Sequence, residues 1–313
     1  MGDCGCCKCV LAVCRATPVI FILLIFFWSY YAYVVVFCIE YVTVVYEKVL
    51  YLLFYHPLFF LFLWTFSKAI FVSPIRPPHE YFLSATDWQL LNSVEGDEAK
   101  NQILEKIINE RKLPIETTGD TGFIRTCPQC SIIKPDRCHH CSTCGCCLLK
   151  MDHHCPWINN CVGFHNYKYF VVFLFWGTLY CVYIVATSVV YFIDFWGLNV
   201  RHIQYTPPSR YNFLFVFFVA IMFGLSQLIL FCYHIYLLSQ NRTTLESFRA
   251  PTFRVIGVDK SGFNIGCRQN FKEVFGDRWG LWLLPVFTSR GTGCSFPRKG
   301  FKGFTYQSLE NAR

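Results

Sequence analysis

Residues 127–161 read CPQCSIIKPDRCHHCSTCGCCLLKMDHHCPWINNC, a run with nine cysteines and four histidines. Displaced by fourteen residues, Cys127, Cys130, His140 and Cys147 fall on Cys141, Cys144, His154 and Cys161. Both sets obey C-x2-C-x9-H-x6-C. Each offers three thiolates and one imidazole, a closed tetrahedral shell for structural zinc, so two Zn2+ ions are expected. One C-x2-C pair is a moderate signal, whereas the same four-ligand pattern repeated at a fixed offset is a strong one. The two sets overlap in sequence, so their sites would interleave. A sequential pairing of the two C-x2-C units would use many of the same residues.

Eight ligands leave Cys138, Cys146, Cys155, His139 and His153 over. Cys155 opens no third set, because the positions that would complete it hold Ile158 and Lys168. Its company is distinctive all the same: His153 lies two residues before it, with Asp152 before that. A cysteine nucleophile needs its thiolate, a free thiol has a pKa of about 8.5, and a neighbouring histidine is the usual activator. A carboxylate on the far imidazole nitrogen fixes the tautomer and favours the imidazolium. Zinc held by three thiolates carries a formal charge near −1 and would raise a nearby thiol's pKa, so activation falls to His153 and Asp152. His154, committed to the second zinc, would fix the backbone between them. Cys138 and Cys146 read as spare thiols.

The chain around this block has 313 residues, 54% hydrophobic and 19% aromatic, with a positive mean hydropathy. The apolar residues concentrate in windows 17–38, 50–71, 169–192 and 213–238, each near the roughly 20 residues that a membrane-spanning helix needs. The first window has no small-residue cleavage site behind a short apolar core, and reads as a retained span. The expected fold is an all-α integral membrane protein, four transmembrane helices with a cytosolic Cys-rich two-zinc domain between spans 2 and 3. Loops 39–49 and 193–212 hold only Lys48, Arg201 and Arg210, while the N-terminus, segment 72–168 and the tail hold 24 of the 28 Lys and Arg. Both termini and the Cys-rich segment are therefore expected on the cytosolic side. The net charge of +8 suits an anionic bilayer surface. Nucleic acid is not an expected partner, because no basic stripe with stacking aromatics stands apart from the spans.

The expected organisation is a Cys-rich arm (1–16), spans 1 and 2 (17–71), a cytosolic segment (72–168) with its zinc domain at about 125–168, spans 3 and 4 (169–238) and a cytosolic tail (239–313). Cys4, Cys6, Cys7, Cys9 and Cys14 on the arm are candidate S-acylation sites, with unmodified thiols as the alternative. Helical spacing of Ile103, Leu104, Ile107 and Ile108 predicts an amphipathic helix around 95–111. The Cys-rich block has too few apolar residues for its own core, so metal is expected to supply its folding energy. The tail is expected to be partly ordered, with aromatic segment 270–287 packing on the cytosolic ends of the spans or dipping into the membrane interface, and a polar, mobile end from about Arg298.

Cys155 lies fourteen residues before the third span. A thiolate there could take a fatty acyl group whose tail enters the bilayer while its carrier stays in water. Thioester exchange from acyl-CoA to Cys155, then to a substrate cysteine, fits thiol chemistry.

These residues carry a resemblance. KMDHHCPWINNCVGFHNYKYF and CPQCSIIKPDRCHHCSTC, with NRTTLESF in the tail, resemble the DHHC protein S-acyltransferases, or palmitoyltransferases, and within them the subgroup of DHHC2, DHHC15 and DHHC20. The resemblance implies a ping-pong enzyme using palmitoyl-CoA or another long-chain acyl-CoA. Its protein substrates would be membrane-associated, with cytosolic juxtamembrane cysteines. It implies an endomembrane location, the Golgi foremost, with the plasma membrane or endoplasmic reticulum as alternatives. Cys155 would be the acylated nucleophile, with His153 its base and Asp152 orienting that base. Thr243, Thr244 and Glu246 match the TTxE motif beside the active site. Asn270, followed by Phe271, matches an asparagine-aromatic element that braces it. The family's zinc ligands coincide with the eight of the repeat. One departure is VSPIRPP after the second span, where Asp-Pro-Gly is frequent.

The family houses the acyl chain among the spans. A C16 tail is roughly 20 Å long, about thirteen residues of helix. Tyr180, eleven residues into the third span, and Ser29 are expected to meet near the cavity's end, and Trp157 to line it. A Tyr–Ser bond within a packed bundle is the alternative. Lys134, Arg137 and Arg242 are candidates for the CoA phosphates. Two competing readings are a membrane-tethered, RING-like zinc scaffold without catalysis, and a transporter using the intramembrane His56, His234 and Lys68, which ranks last.

Overall fold

The computed structural model describes residues 5–195 and 207–298. Helices α1 (Gly5–Tyr30), α2 (Val45–Phe71), α3 (Ala85–Asn92), α4 (Asp97–Arg111), α5 (Tyr167–Phe195), α6 (Pro207–Ser239), α7 (Thr244–Phe248) and α8 (Cys267–Phe275) follow in chain order. Strands of two or three residues lie between them: β1 (Thr117–Thr118), β2 (Thr126–Cys127), β3 (Ile132–Ile133), β4 (His139–Cys141), β5 (Cys146–Leu148), β6 (His153–Cys155), β7 (Asn160–Val162), β8 (Thr252–Phe253) and β9 (Gly257–Val258). The chain forms two compact units. One comprises Met1–Phe71, Pro156–Asn159 and Tyr169–Tyr233, the other Val72–Cys155, Asn160–Lys168 and His234–Arg313.

Among the described residues, four helical stretches are long and apolar enough to cross a membrane: Ala12–Tyr41, Val45–Phe71, Tyr167–Asp194 and Tyr211–Ser239. They make this a multi-pass membrane protein. Each contains its sequence window and outruns it, because helical hydrogen bonding continues through flanking polar residues such as Glu47 and Lys48 in α2. After Tyr30 the first helix continues as a π-helix over Tyr31–Tyr41. In lipid the hydrophobic effect does little to join helices, so side-chain packing and hydrogen bonds must. Aromatic rings supply much of it: Phe26 stacks on Phe59 at 4.3 Å, Tyr33 on Tyr55 at 4.5 Å and Phe66 on Phe173 at 5.1 Å. Most buried polar side chains of the spans pair off internally, as bilayer burial requires, although Gln227 Oε1 has no partner. His56 contacts Leu52 O at 2.7 Å and Tyr30 Oη at 3.2 Å.

The second unit has a core that the Cys-rich block lacks alone. Tyr81, Leu83, Leu91, Leu104, Ile107, Ile108 and Leu113 meet Ile133, Leu149, Phe164, Phe253, Phe263 and Phe296. The helix expected around 95–111 is α4, which buries Leu104, Ile107 and Ile108. Sequence reading gave no α3, which is too short for a periodicity argument; a capping box between Ser84 and Asp87 starts it. Up to residue 298 the tail is built into the unit, because β8 pairs with β1 and with β9, and Phe253, Phe263 and Phe296 enter the core. The polar end expected to be mobile lies outside the described residues from 299 onward. Of the N-terminal cysteines, Cys4 and the side chains of Cys6, Cys7 and Cys9 also lie outside them, and Cys14 is exposed. Arg201 and the side chain of Arg210, used for orientation, lie outside as well.

Candidate active site

Three antiparallel hairpins, β2–β3, β4–β5 and β6–β7, carry the Cys-rich block. The register sets His140 opposite Cys147 and His154 opposite Cys161. Each C-x2-C pair then closes from the preceding turn, which produces the interleaved arrangement. Cys127, Cys130, His140 and Cys147 form one group and Cys141, Cys144, His154 and Cys161 the other, their ligand atoms within 4.8 Å of one another. Both histidines present Nδ1. His140 Nδ1 lies 3.2, 3.5 and 3.8 Å from the sulfurs of Cys130, Cys127 and Cys147. His154 Nδ1 lies 3.3, 3.5 and 3.7 Å from those of Cys161, Cys144 and Cys141. A tetrahedral shell of three sulfurs and one nitrogen around zinc has sulfur–nitrogen edges of about 3.5 Å. Both groups are therefore shaped to hold a metal ion.

Cys155 belongs to neither group. It is buried at the end of β6, opposite Asn160. His153 Nδ1 lies 2.6 Å from Asp152 Oδ2, and the imidazole also shares a hydrogen bond with the Cys155 thiol. Burial pulls the His153 pKa down, but the bonds to Asp152 and Cys155 outweigh it and push it up to about 9. Burial would likewise raise Asp152. His153 and the Thr244 amide instead hold that carboxyl below its usual range.

The TTxE residues explain how Asp152 stays fixed. Thr244 donates to it twice, from its amide to Oδ1 at 2.9 Å and from its hydroxyl to Oδ2 at 2.7 Å. Thr243 caps α7, and Glu246 returns the capping box to the Thr243 amide. The Glu246 carboxylate meanwhile takes Arg137 in a two-pronged ion pair, Nε at 2.7 Å and Nη2 at 2.6 Å. Asn270 ties α8 to the end of α6, donating to Ser239 O at 2.8 Å.

Arg137 corrects an expectation. Its guanidinium is fully buried, bonded to Glu246 and Asn241, and lies over Phe263 and Phe296. It is committed to bracing α7 and is not available to a CoA phosphate. Lys134 is half-buried at a hairpin end. Arg242 is half-buried, donates to Lys260 O at 2.8 Å, and lines a small cleft with Asp152 and Lys150. Sequence reading missed Asn241, Glu273 and Lys150. Asn241 Nδ2 donates to Glu273 Oε2 at 2.8 Å, and Lys150 donates to Glu273 Oε1 at 2.6 Å. Only Asn241 had a signal, its place directly before Arg-Thr-Thr. VSPIRPP supplies backbone acceptors: Val72 O for the Asn160 and Asn166 side chains and Ile75 O for the Leu149 amide.

In the helical unit, Tyr180 Oη lies 2.8 Å from Ser29 Oγ and 2.7 Å from Tyr55 Oη. Ser29 spends its proton on Phe26 O at 2.7 Å, so Tyr180 donates to Ser29 and Tyr55 to Tyr180. Tyr55 is a member of this chain that sequence reading missed. Ser29 and Tyr180 line a cavity of about 50 Å³ with Phe26, Phe62 and Gly177. Trp157, in the turn Pro156–Ile158, is half-exposed.

Comparison with known proteins agrees with this geometry. The family model described as DHHC palmitoyltransferase matches residues 120–250. Palmitoyltransferase ZDHHC20-A of Danio rerio is 51% identical over 282 residues, covering 90% of this chain and 77% of the relative. Palmitoyltransferase ZDHHC2 of Danio rerio is 49% identical over 280 residues, covering 90% and 76%. Palmitoyltransferase ZDHHC15 of Homo sapiens is 46% identical over 298 residues, covering 95% and 86%. Matched both in its Cys-rich segment and along most of its length, the chain belongs to the DHHC palmitoyltransferase family.

Proposed function

We propose that the protein is a protein S-palmitoyltransferase, moving a long-chain acyl group from acyl-CoA to cysteines of membrane-proximal proteins through a Cys155 thioester. The observation that carries this is a cysteine excluded from both metal groups while its histidine is held on a fully hydrogen-bonded aspartate. His153 takes the Cys155 proton, and the sulfur adds to the thioester carbonyl. The tetrahedral intermediate collapses, the C–S bond to CoA breaks, and His153 returns the proton to the departing thiolate. In the second half the substrate thiol gives its proton to His153 and attacks acyl-Cys155, which leaves with that proton. Asp152 holds the imidazole throughout and stabilises its charged form.

The two groups of three cysteines and one histidine suit zinc, which would hold the hairpins as a structural ion and take no part in the reaction. Lys134 and Arg242 remain candidates for the CoA phosphates. Residues 17–71 and 169–238 would lie in the bilayer, with segment 72–168 and both termini cytosolic, in an endomembrane such as the Golgi. The N-terminal cysteines are candidates for acylation themselves. The cavity of Ser29 and Tyr180, with Trp157, would take the acyl chain.

Incubation with labelled palmitoyl-CoA tests the chemistry. Native protein should gain a label that hydroxylamine releases, and Cys155→Ala should gain none at about two zinc ions per chain. If the native protein binds zinc but Cys155 never carries an acyl group, a zinc scaffold without catalysis replaces this reading. Ser29→Ala combined with Tyr180→Ala should shift preference from palmitoyl-CoA to stearoyl-CoA by about 10-fold. An unchanged chain-length profile would remove the cavity assignment.

A further inference from the structure

His234, in the last turns of α6, is an ionisable side chain that the reaction above does not use. It is 1% exposed, as deeply buried as Asp152. Ionisable groups at membrane depth are costly and ordinarily mark function. Its Nδ1 lies 3.1 Å from Tyr167 Oη. A ring nitrogen of His234 also lies within 4.8 Å of an Asp152 carboxylate oxygen and a His153 ring nitrogen. The two imidazoles sit with centroids 5.8 Å apart, tilted by 36°.

Asp152 grips His153 through a short hydrogen bond at Nδ1. A bond at one nitrogen does not by itself stop an imidazole from rocking about the bond's axis, which moves the opposite nitrogen away from the thiol. A second buried ring beside it limits that motion. Tyr167 in turn fixes the second ring. A phenol donating to Nδ1 leaves the proton of a neutral His234 on Nε2. Tyr167 is itself set by the Gly163–Tyr167 turn, where its amide donates to Gly163 O at 2.9 Å.

We infer that His234 is a positioning residue for the transferase reaction, held by Tyr167 and acting through His153 and Asp152. This rests on the Cys155 acyl-enzyme reading. A Tyr–His bond that merely fastens α5 to α6 would predict lost folding, not a selective loss of rate.

The test is single-turnover acylation of Cys155 by palmitoyl-CoA in the purified protein, with zinc content measured alongside. Native labelling checks the acyl-enzyme reading by itself. His234→Phe keeps a ring but no nitrogen, and should slow acylation by at least about 10-fold with KM for palmitoyl-CoA within two-fold and zinc unchanged. His234→Gln should recover part of the rate. Tyr167→Phe, which removes one hydroxyl, should also cost about 10-fold, and the double variant should be no slower than His234→Phe, because both act through one ring. Rates within two-fold of native in both single variants would overturn the inference, as would fully additive losses. Should His234→Phe lose zinc, Tyr167→Phe decides alone: a native rate there rejects the assignment.

Discussion

Hairpin β4–β5 sets His139 opposite Leu148, His140 opposite Cys147 and Cys141 opposite Cys146. Hairpin β6–β7 sets His153 opposite Val162, His154 opposite Cys161 and Cys155 opposite Asn160. The first begins Cys138-His139-His140-Cys141 and the second Asp152-His153-His154-Cys155, and His140 and His154 are ligands in both. The chemistry diverges at the flanking positions. Cys141 is claimed by a metal group, whereas its counterpart Cys155 is not. Burial, then the charge of Arg125, pushes His139 down to about 4, while Asp152 and Cys155 hold His153 up at about 9. Cys138 is buried and bonds the ligand thiol of Cys147; Asp152 bonds His153 and Thr244. One backbone plan thus yields a scaffold where a thiol precedes the two histidines, and the proposed reaction site where a carboxylate does.

The comparison breaks most completely if metal is removed. Stripping both ions with a chelator should abolish Cys155 acylation and open the hairpins to protease, since each ligand group cross-links neighbouring hairpins. Persistent acylation in zinc-free protein would show that the hairpins need no ion. Next in size, Asp152→Cys rewrites the second hairpin in the image of the first. Acylation should fall on the order of 10³-fold, the scale of a general base's contribution, with two zinc ions retained. A near-native rate would show that the carboxylate does not separate the hairpins. Smallest is Cys138→Ala, which removes a neighbour of Cys147 only. Zinc should leave that group about 10-fold faster in a chelator competition, the scale of a lost partner to a ligand, while initial acylation stays within two-fold.

The hairpins also differ in how much of their chemistry is legible in the sequence. The ligand spacing alone fixed which eight residues gather, because a metal shell leaves little freedom in residue type and separation. The same counting isolated Cys155 and its neighbours His153 and Asp152. Arg137 misled, since a basic residue near the site resembles a phosphate contact until its burial against Glu246 is seen. Asn241, Glu273 and Lys150 stand in segments far apart in sequence, and no periodicity joins them. The helical unit divides likewise: hydrophobic windows gave all four spans, but not that Tyr55 completes the hydrogen-bonded chain from Tyr180 to Ser29.

What this sequence determined by itself is what depends on local spacing: apolar runs of bilayer length, repeated metal ligands, and the order Asp-His-His-Cys. Tertiary structure alone decided how the long-range polar groups pair. It turned Thr244 onto Asp152, placed Glu246 against Arg137, built the tail's Phe253, Phe263 and Phe296 into the core, and set His234 beside the His153 ring. Those pairings follow from the cost of burying polar groups unpaired, and the chain's fold selects which groups are buried together.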